Sequence, residues 1–423
     1  MDYQLVLILI QSKYNLPLND NQSPTTIHIM IKQFFTSLLL IFTISSFHGQ
    51  SYDSSIEIGA SRLQEYLPSL KGKKVAIVAN QTSMIGSTHL VDSLISLGIN
   101  VTKVFAPEHG FRGDADAGEK VKDDVDSKSG VPIISLYGRK NRKPSSDALA
   151  NVDVILFDLQ DVGVRFYTYI STMTYVMEAC ADFKTPIIVL DRPNPNGFYV
   201  DGPVLKDDNT SFIGMHKVPV VHGMTIGEYA KMVLGEKWLD NNAVDLKVVK
   251  CTNYEHSDFY ELPVAPSPNL PNMASIYLYP SLCLFEGTNV SVGRGTEKPF
   301  QQFGASFITS DYNFTPKPSY GAKYPKLEGE ICNGYDLKDF GESYIRNYGK
   351  LYLFWITATY NQCDDKSTFF RSDGFFTLLT GDKSIQKMIE DNKSTEDIWE
   401  SFQPEVLAFK KIRTKYLLYT DFE

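Results

Sequence analysis

The sequence has no GxSxG nucleophile elbow, no HExxH zinc helix and no GxxxxGK[ST] phosphate loop. The short motifs of serine hydrolysis, zinc proteolysis and P-loop chemistry are therefore absent. Cysteine is scarce. Cys180, Cys251, Cys283, Cys332 and Cys363 are odd in number and widely spaced, and no CxxC occurs. Neither a disulfide framework nor a thiolate zinc site is supported. Basic excess is also missing. Lys and Arg number 41 against 50 Asp and Glu, a net charge of −9. A phosphate-backbone partner needs clustered Lys and Arg, so no nucleic acid is expected. Compositional bias is absent too: 43% hydrophobic and 22% charged residues exclude a disordered or collagen-like chain. A length of 423 residues is too great for one small core and fits two domains.

What is present begins with an address. Lys32 precedes an uncharged, mostly apolar run over residues 34–47, followed by small and polar residues. That run is short for a bilayer span and reads as a cleaved export signal, with a buried helix or membrane anchor as the alternative. Residues 1–29 precede a second methionine, Met30, and fit an over-called start. The expectation is residues 1–50 as leader, then export to a periplasmic or extracellular place without stable membrane insertion. Chemistry dependent on ATP or NAD is disfavoured there.

From about residue 70 apolar β-branched runs alternate with helical spacing. The runs are KVAIVAN (74–80), VTKVFAPEHG (101–110), VPIISLYG (131–138), VDVILFDLQDVG (152–163) and TPIIVLDRPNPNG (185–197). Helices are expected at 88–98 and 167–183, with a short one capped by Ser145. Continuous apolar strands separated by helices indicate a parallel sheet covered on both faces. The second half is less regular: a helix at 225–236, a strand at 244–251, a proline-rich stretch at 262–273, a strand at 351–360 and closing helices. The expected architecture is α/β, a Rossmann-like domain over 51–225 and a smaller α+β domain over 226–423.

Ligands of such sheets bind outside the carboxyl ends of the strands. Here those ends are polar: Asn80; Glu108, His109 and Arg112; Asp158, Asp161 and Arg165; Asp191, Arg192 and Asn194. Glu108 follows a proline at the end of a buried strand, where desolvation favours a general acid; a salt bridge to Arg112 or a helix cap is the alternative. His109 is equally a loop residue, a substrate contact or a ligand. Asp158 and Asp161 form a second acid/base pair or orient Arg165 and its turn. Arg165, Arg192 and Arg294 either receive an anionic ligand or pair with Asp161, Asp191 and Glu286. The segment 285–296 is glycine-rich without a phosphate-loop pattern and is expected to bring Glu286 and Arg294 over the pocket. No ligand spacing supports a metal, and no cofactor is expected.

The strings NQT, FAPEHGFRGDADAGE, SLYG, FDLQDVGVRFYTYISTM, LDRPNPNG, GPVL, HGMTIGE, PSPNLPN, YPSLCLFEGTNVSVGRGTEKPF and FGA occur in this order. Together they resemble the exo-β-N-acetylmuramidase family, densely to about residue 305 and thinly beyond. The resemblance implies release of N-acetylmuramic acid from non-reducing ends of peptidoglycan fragments, so that muramyl saccharides are the partners. It also implies a cleft between a Rossmann-like and a smaller C-terminal domain. The family's presumed catalytic glutamate lies in PEHG, here Glu108. On that reading Glu108 protonates the leaving oxygen. The substrate's 2-acetamido group attacks with Asp158 or Asp161 orienting it, or a carboxylate activates water. The lactyl carboxylate requires cations, for which Arg165, Arg192 and Arg294 are candidates. The alternatives are a metal-dependent phosphate or amide hydrolase using His109, Asp158, Asp161 and His222, and a non-catalytic wall-sugar binding protein.

Overall fold

The computed structural model describes residues 56–112, 123–138 and 142–423. The expected leader, residues 1–50, and positions 113–119 of the FAPEHGFRGDADAGE string lie outside them.

Six apolar runs form the main sheet as parallel strands: β1 (Lys74–Ala79), β4 (Asn100–Ala106), β6 (Pro132–Ser135), β7 (Val154–Asp158), β8 (Ile187–Leu190) and β9 (Leu246–Val249). A two-residue strand, β5 (Asp124–Val125), adds antiparallel to β6. The hairpin β2 (Met84–Ile85) and β3 (Thr88–His89) stands apart. The order across the sheet is β5-β6-β4-β1-β7-β8-β9. Counting only the parallel strands, this is 3-2-1-4-5-6, the Rossmann order, with its switch point between β1 and β7. The sheet draws its last strand from residues beyond 225, and the segment 244–251 is that edge.

Period-two alternation divides the sheet between two cores. Val75, Ile77, Ala79, Val104, Leu156 and Leu190 face helices α1 (Leu63–Leu70) and α2 (Leu90–Ser96). Ala76, Val78, Phe105, Ile155, Phe157 and Val189 face α4 (Tyr169–Phe183) and α5 (Ile226–Gly235). Between these pairs lies α3 (Ser146–Leu149), where Ser145 Oγ accepts from Ala148 N at 3.2 Å as a cap. The second core does not stop at the α/β layer. It continues without a break through Tyr277, Phe285, Phe303 and Trp355 to Phe409. The C-terminal part contributes α6 (Met273–Leu282), a three-stranded antiparallel sheet in the order β10 (Gln302–Ala305), β12 (Cys332–Asp336), β11 (Tyr312–Phe314), a helical stretch over 338–348, and four further α-helices. These are α7 (Phe354–Gln362), α8 (Phe375–Thr380), α9 (Lys383–Glu390) and α10 (Thr395–Arg413). The architecture is thus a Rossmann-like α/β layer with a smaller α+β part.

Two local expectations are corrected. Residues 351–360 do not form a strand; α7 begins at Phe354, because the buried Trp355, Ile356, Thr359 and Tyr360 recur at helical spacing. The closing segment is one helix running through Pro404. The buried face Ile398, Phe402, Val406 and Phe409 holds it together across the break.

Candidate active site

Residues 107–110 form the turn that ends β4. Gly110 N donates to Pro107 O at 3.1 Å, and His109 takes φ 70°, a left-handed conformation that non-glycine residues rarely adopt. Such local strain, about 1–3 kcal/mol, persists where the surrounding structure over-determines it. Here the turn sets Glu108, half-buried, into a cavity of 460 Å³. That volume falls within the roughly 300–1,000 Å³ of small-molecule sites.

Both halves of the chain build the cavity. Tyr137 comes from the loop after β6, and Phe166, Tyr167 and Thr168 from the loop after β7. The proline-rich stretch supplies Ser267 and Asn269, pinned by Tyr167 OH donating to Pro266 O at 2.9 Å and by Asn269 Nδ2 donating to Gly321 O at 2.7 Å. Tyr279 and Cys283 follow from α6, then Glu286, Arg294 and Phe300, and finally Arg371 and Phe375. Burial pushes the Cys283 thiol up to about 12, which removes it as a nucleophile.

The charges are arranged in pairs. Thr168 Oγ1 donates to Glu108 Oε2 at 2.7 Å. Burial and the Glu108 carboxylate, which Tyr137 also hydrogen-bonds, push the Tyr137 phenol up and keep it a neutral donor. Glu286 Oε1 lies 3.0 Å from Arg294 Nε. Burial alone would raise the Glu286 carboxyl; Arg294, Lys326 and Arg371 outweigh it and hold it below its ordinary value. Lys326 Nζ in turn donates to the carbonyls of Phe285 at 2.9 Å and Thr288 at 2.7 Å. Arg371 is held by Asp373. The glycines around Arg294 serve this wall. A Cβ on Gly295, at φ 79°, would meet Lys317 O at 2.5 Å, so the loop needs glycine for close packing.

Of the residues singled out in the sequence, Glu108, His109, Glu286 and Arg294 line this cavity. Among the described residues, Asn80, Arg112, Asp158, Asp161, Arg165, Asp191, Arg192, Asn194 and His222 do not. They are held by hydrogen bonds to partners elsewhere in the fold. Asp158 accepts from Arg192 at 2.6 and 2.9 Å, both buried. Asn80 Oδ1 accepts from Thr82 N at 2.9 Å and its Nδ2 donates to Tyr169 OH at 2.6 Å. Asp161 Oδ2 accepts from Gly163 N at 2.7 Å, and Asn194 Nδ2 donates to Met224 O at 2.9 Å. Arg165, fully buried, donates to Pro203 O, Val218 O and Leu379 O at 2.7–2.8 Å. Arg112 pairs with Asp126 at 2.9 Å. The convergence of Arg165 and Arg192 on a ligand is replaced by these contacts: a buried guanidinium needs acceptors, and the fold supplies them locally. Sequence reasoning passed over Thr168, Asn269 and Arg371. Arg371 lies in the tail where the motif string thins, so no signal marked it. Among the described residues no three His, Cys, Asp or Glu side chains group as a metal site.

Two sequence profiles of the exo-β-N-acetylmuramidase NamZ match, the N-terminal domain over residues 75–274 and the C-terminal domain over 277–419. The chain belongs to the exo-β-N-acetylmuramidase family. A family member from Bacillus subtilis (strain 168), peptidoglycan β-N-acetylmuramidase NamZ, is 38% identical over 420 residues, 91% of this chain and 98% of that protein. Two crystal structures of DUF1343 family proteins from Bacteroides fragilis NCTC 9343 are similar. One has 45% identity and a TM-score of 0.80, covering 87% of this chain and all of that one. The other has 29% identity and a TM-score of 0.74, covering 86% and 99%. In this exo-β-N-acetylmuramidase family member the two profile segments meet at α6, and both contribute cavity walls.

Proposed function

We propose that this protein is an exo-acting glycosidase that releases N-acetylmuramic acid from the non-reducing ends of peptidoglycan fragments, with Glu108 as the general acid. The observation that carries the reading is Glu108 at the tip of a strained turn inside a cavity that also holds Arg294 and Arg371. Muramic acid carries a lactyl carboxylate, and guanidinium groups are suited to receive it. The aromatic walls, Tyr279 and Phe300 among them, give a sugar ring apolar faces to lie against.

In this mechanism Glu108 donates its proton to the glycosidic oxygen as the bond to the anomeric carbon breaks. Glu286, held ionised by its cations, and the substrate's acetamido group are the groups able to meet the positive charge that develops. Asp158 and Asp161 act on this chemistry through the scaffold. Export by the leader at residues 1–50 belongs to the same reading, because wall fragments lie outside the cytoplasm.

The test compares two substrates. A muramyl-glucosamine disaccharide has an alkoxide leaving group that needs a proton; a 4-nitrophenyl muramide does not. Glu108→Gln should cut release from the disaccharide by about 10²–10⁴-fold and spare the nitrophenyl substrate far more. Equal losses on both, or near-normal disaccharide cleavage, reject Glu108 as the acid. The matched glucosaminide, cleaved as fast as the muramide by the unaltered enzyme, would reject recognition of the lactyl group.

A further inference from the structure

The threonine before α4 does not behave as a helix cap. Thr168 immediately precedes a 15-residue helix, where a threonine ordinarily accepts a backbone N–H two or three residues on. It makes no such bond, and its backbone is helical (φ −74°, ψ −1°) rather than extended. Elsewhere in the molecule the rule is kept. Ser145, Thr225, Asn272 and Ser394 each accept from their helix's N3 N–H. Leaving out a cap costs about 1 kcal/mol. The Thr168 hydroxyl instead reaches across to Glu108 Oε2 at 2.7 Å, from a side chain that is 7% exposed.

We propose that Thr168 is the positioning residue of Glu108, holding Oε2 as an acceptor so that Oε1 carries the proton delivered to the glycosidic oxygen. The inference rests on the reading of Glu108 as the acid. A hydroxyl donates one proton, and an oxygen that accepts it is the unprotonated oxygen of a neutral carboxyl. Together with the hydrogen bond from Tyr137, this contact orients the carboxyl, and Thr168 commits Oε2 to accepting. After transfer the same bond stabilises the carboxylate that remains.

Other groups face Glu108 from every side. Tyr137 comes from the loop after β6, Tyr169 from the start of α4, Tyr279 from α6 and Arg294 from the glycine-rich loop, all close enough for its charge to act on them. Among the described residues, His109 on its own turn and Glu286 and Arg371 across the cavity also line it. Thr168 carries no charge and does not ionise, so removing its hydroxyl adds or removes no charge beside Glu108.

The experiment follows kcat/KM on the muramyl-glucosamine disaccharide against pH for the unaltered enzyme, Thr168→Val, Thr168→Ser and Glu108→Gln, with the Tm of each. A donated hydrogen bond favours the ionised carboxyl, so the Thr168→Val enzyme should move the alkaline limb of its profile to higher pH. Its rate at the optimum should fall about 10–100-fold through lost orientation. Thr168→Ser should restore both. An alkaline limb left in place in Thr168→Val, whatever its rate and Tm, overturns the inference. So does a Thr168→Ser enzyme as impaired as Thr168→Val. An active Glu108→Gln enzyme with unchanged disaccharide turnover instead removes the acid assignment beneath it, so the two failures are told apart.

Discussion

At the scale of single residues, the polar groups at the strand ends divide by whether they meet the cavity or brace it. Asp161 belongs to the bracing set. Its Oδ1 has no hydrogen-bond partner among the described residues, and burial pushes its carboxyl up to about 7 against the opposing N–H groups of Gly163 and Val162. The native state therefore holds a proton that the unfolded chain, with an ordinary carboxyl near 4, gives up earlier. Stability contributed by that proton is present below about pH 4 and declines as pH rises to about 7. Asp161→Asn should flatten this slope in denaturant titrations at pH 4–8, by a few kcal/mol at most. An unchanged slope would place the dependence elsewhere. The sequence marked Asp161 as polar at a strand end, which is correct, but it carries no sign of which way a side chain turns. Glu108 was legible because a proline, a strand end and a motif coincided. Thr168 was not, since a threonine before a helix reads as a cap.

Elements were most legible where one face decided them. The central parallel strands β1, β7 and β8 are buried and apolar on both sides, and their runs stand out from the chain. The segment 351–360 misled because aromatic and β-branched residues suit strands, while their burial repeats at helical intervals. Pro404 suggested a break in α10 for a sound local reason: proline removes one backbone donor and crowds the preceding turn. Four buried apolar residues overrule it. Pro404 is itself exposed. Pro404→Ala should therefore restore the bond to the Glu400 carbonyl at no cost in packing. A gain of about 1–3 kcal/mol is expected after the lost unfolded-state restriction is deducted, read as a higher Tm. A fall in Tm would mean that the helix needs its bend there.

For the molecule as a whole, Arg165 shows how the halves are joined. Its guanidinium ties the carbonyls of Pro203 and Val218 in the α/β half to that of Leu379 at the end of α8. Arg165→Ala leaves buried acceptors unmet, at about 1–3 kcal/mol each. Unfolding should shift to markedly lower denaturant, while the ratio of rates on muramide and glucosaminide stays as it was. A changed ratio with unchanged stability would return Arg165 to the ligand. The general order of the fold was readable from alternation alone, whereas joints of this kind link residues 214 positions apart and leave no local trace.

The core that runs from Ala76 to Phe409 also bears on how such proteins can be recombined. The two profile segments look like interchangeable modules, yet Phe285, Phe303 and Trp355 of the later one are packed into the same apolar body as Phe157 and Val189 of the earlier one. A chimera that borrows its C-terminal portion from a relative inherits one side of a jigsaw seam. Substrate preference could be transplanted between relatives only by moving the facing wall along with it.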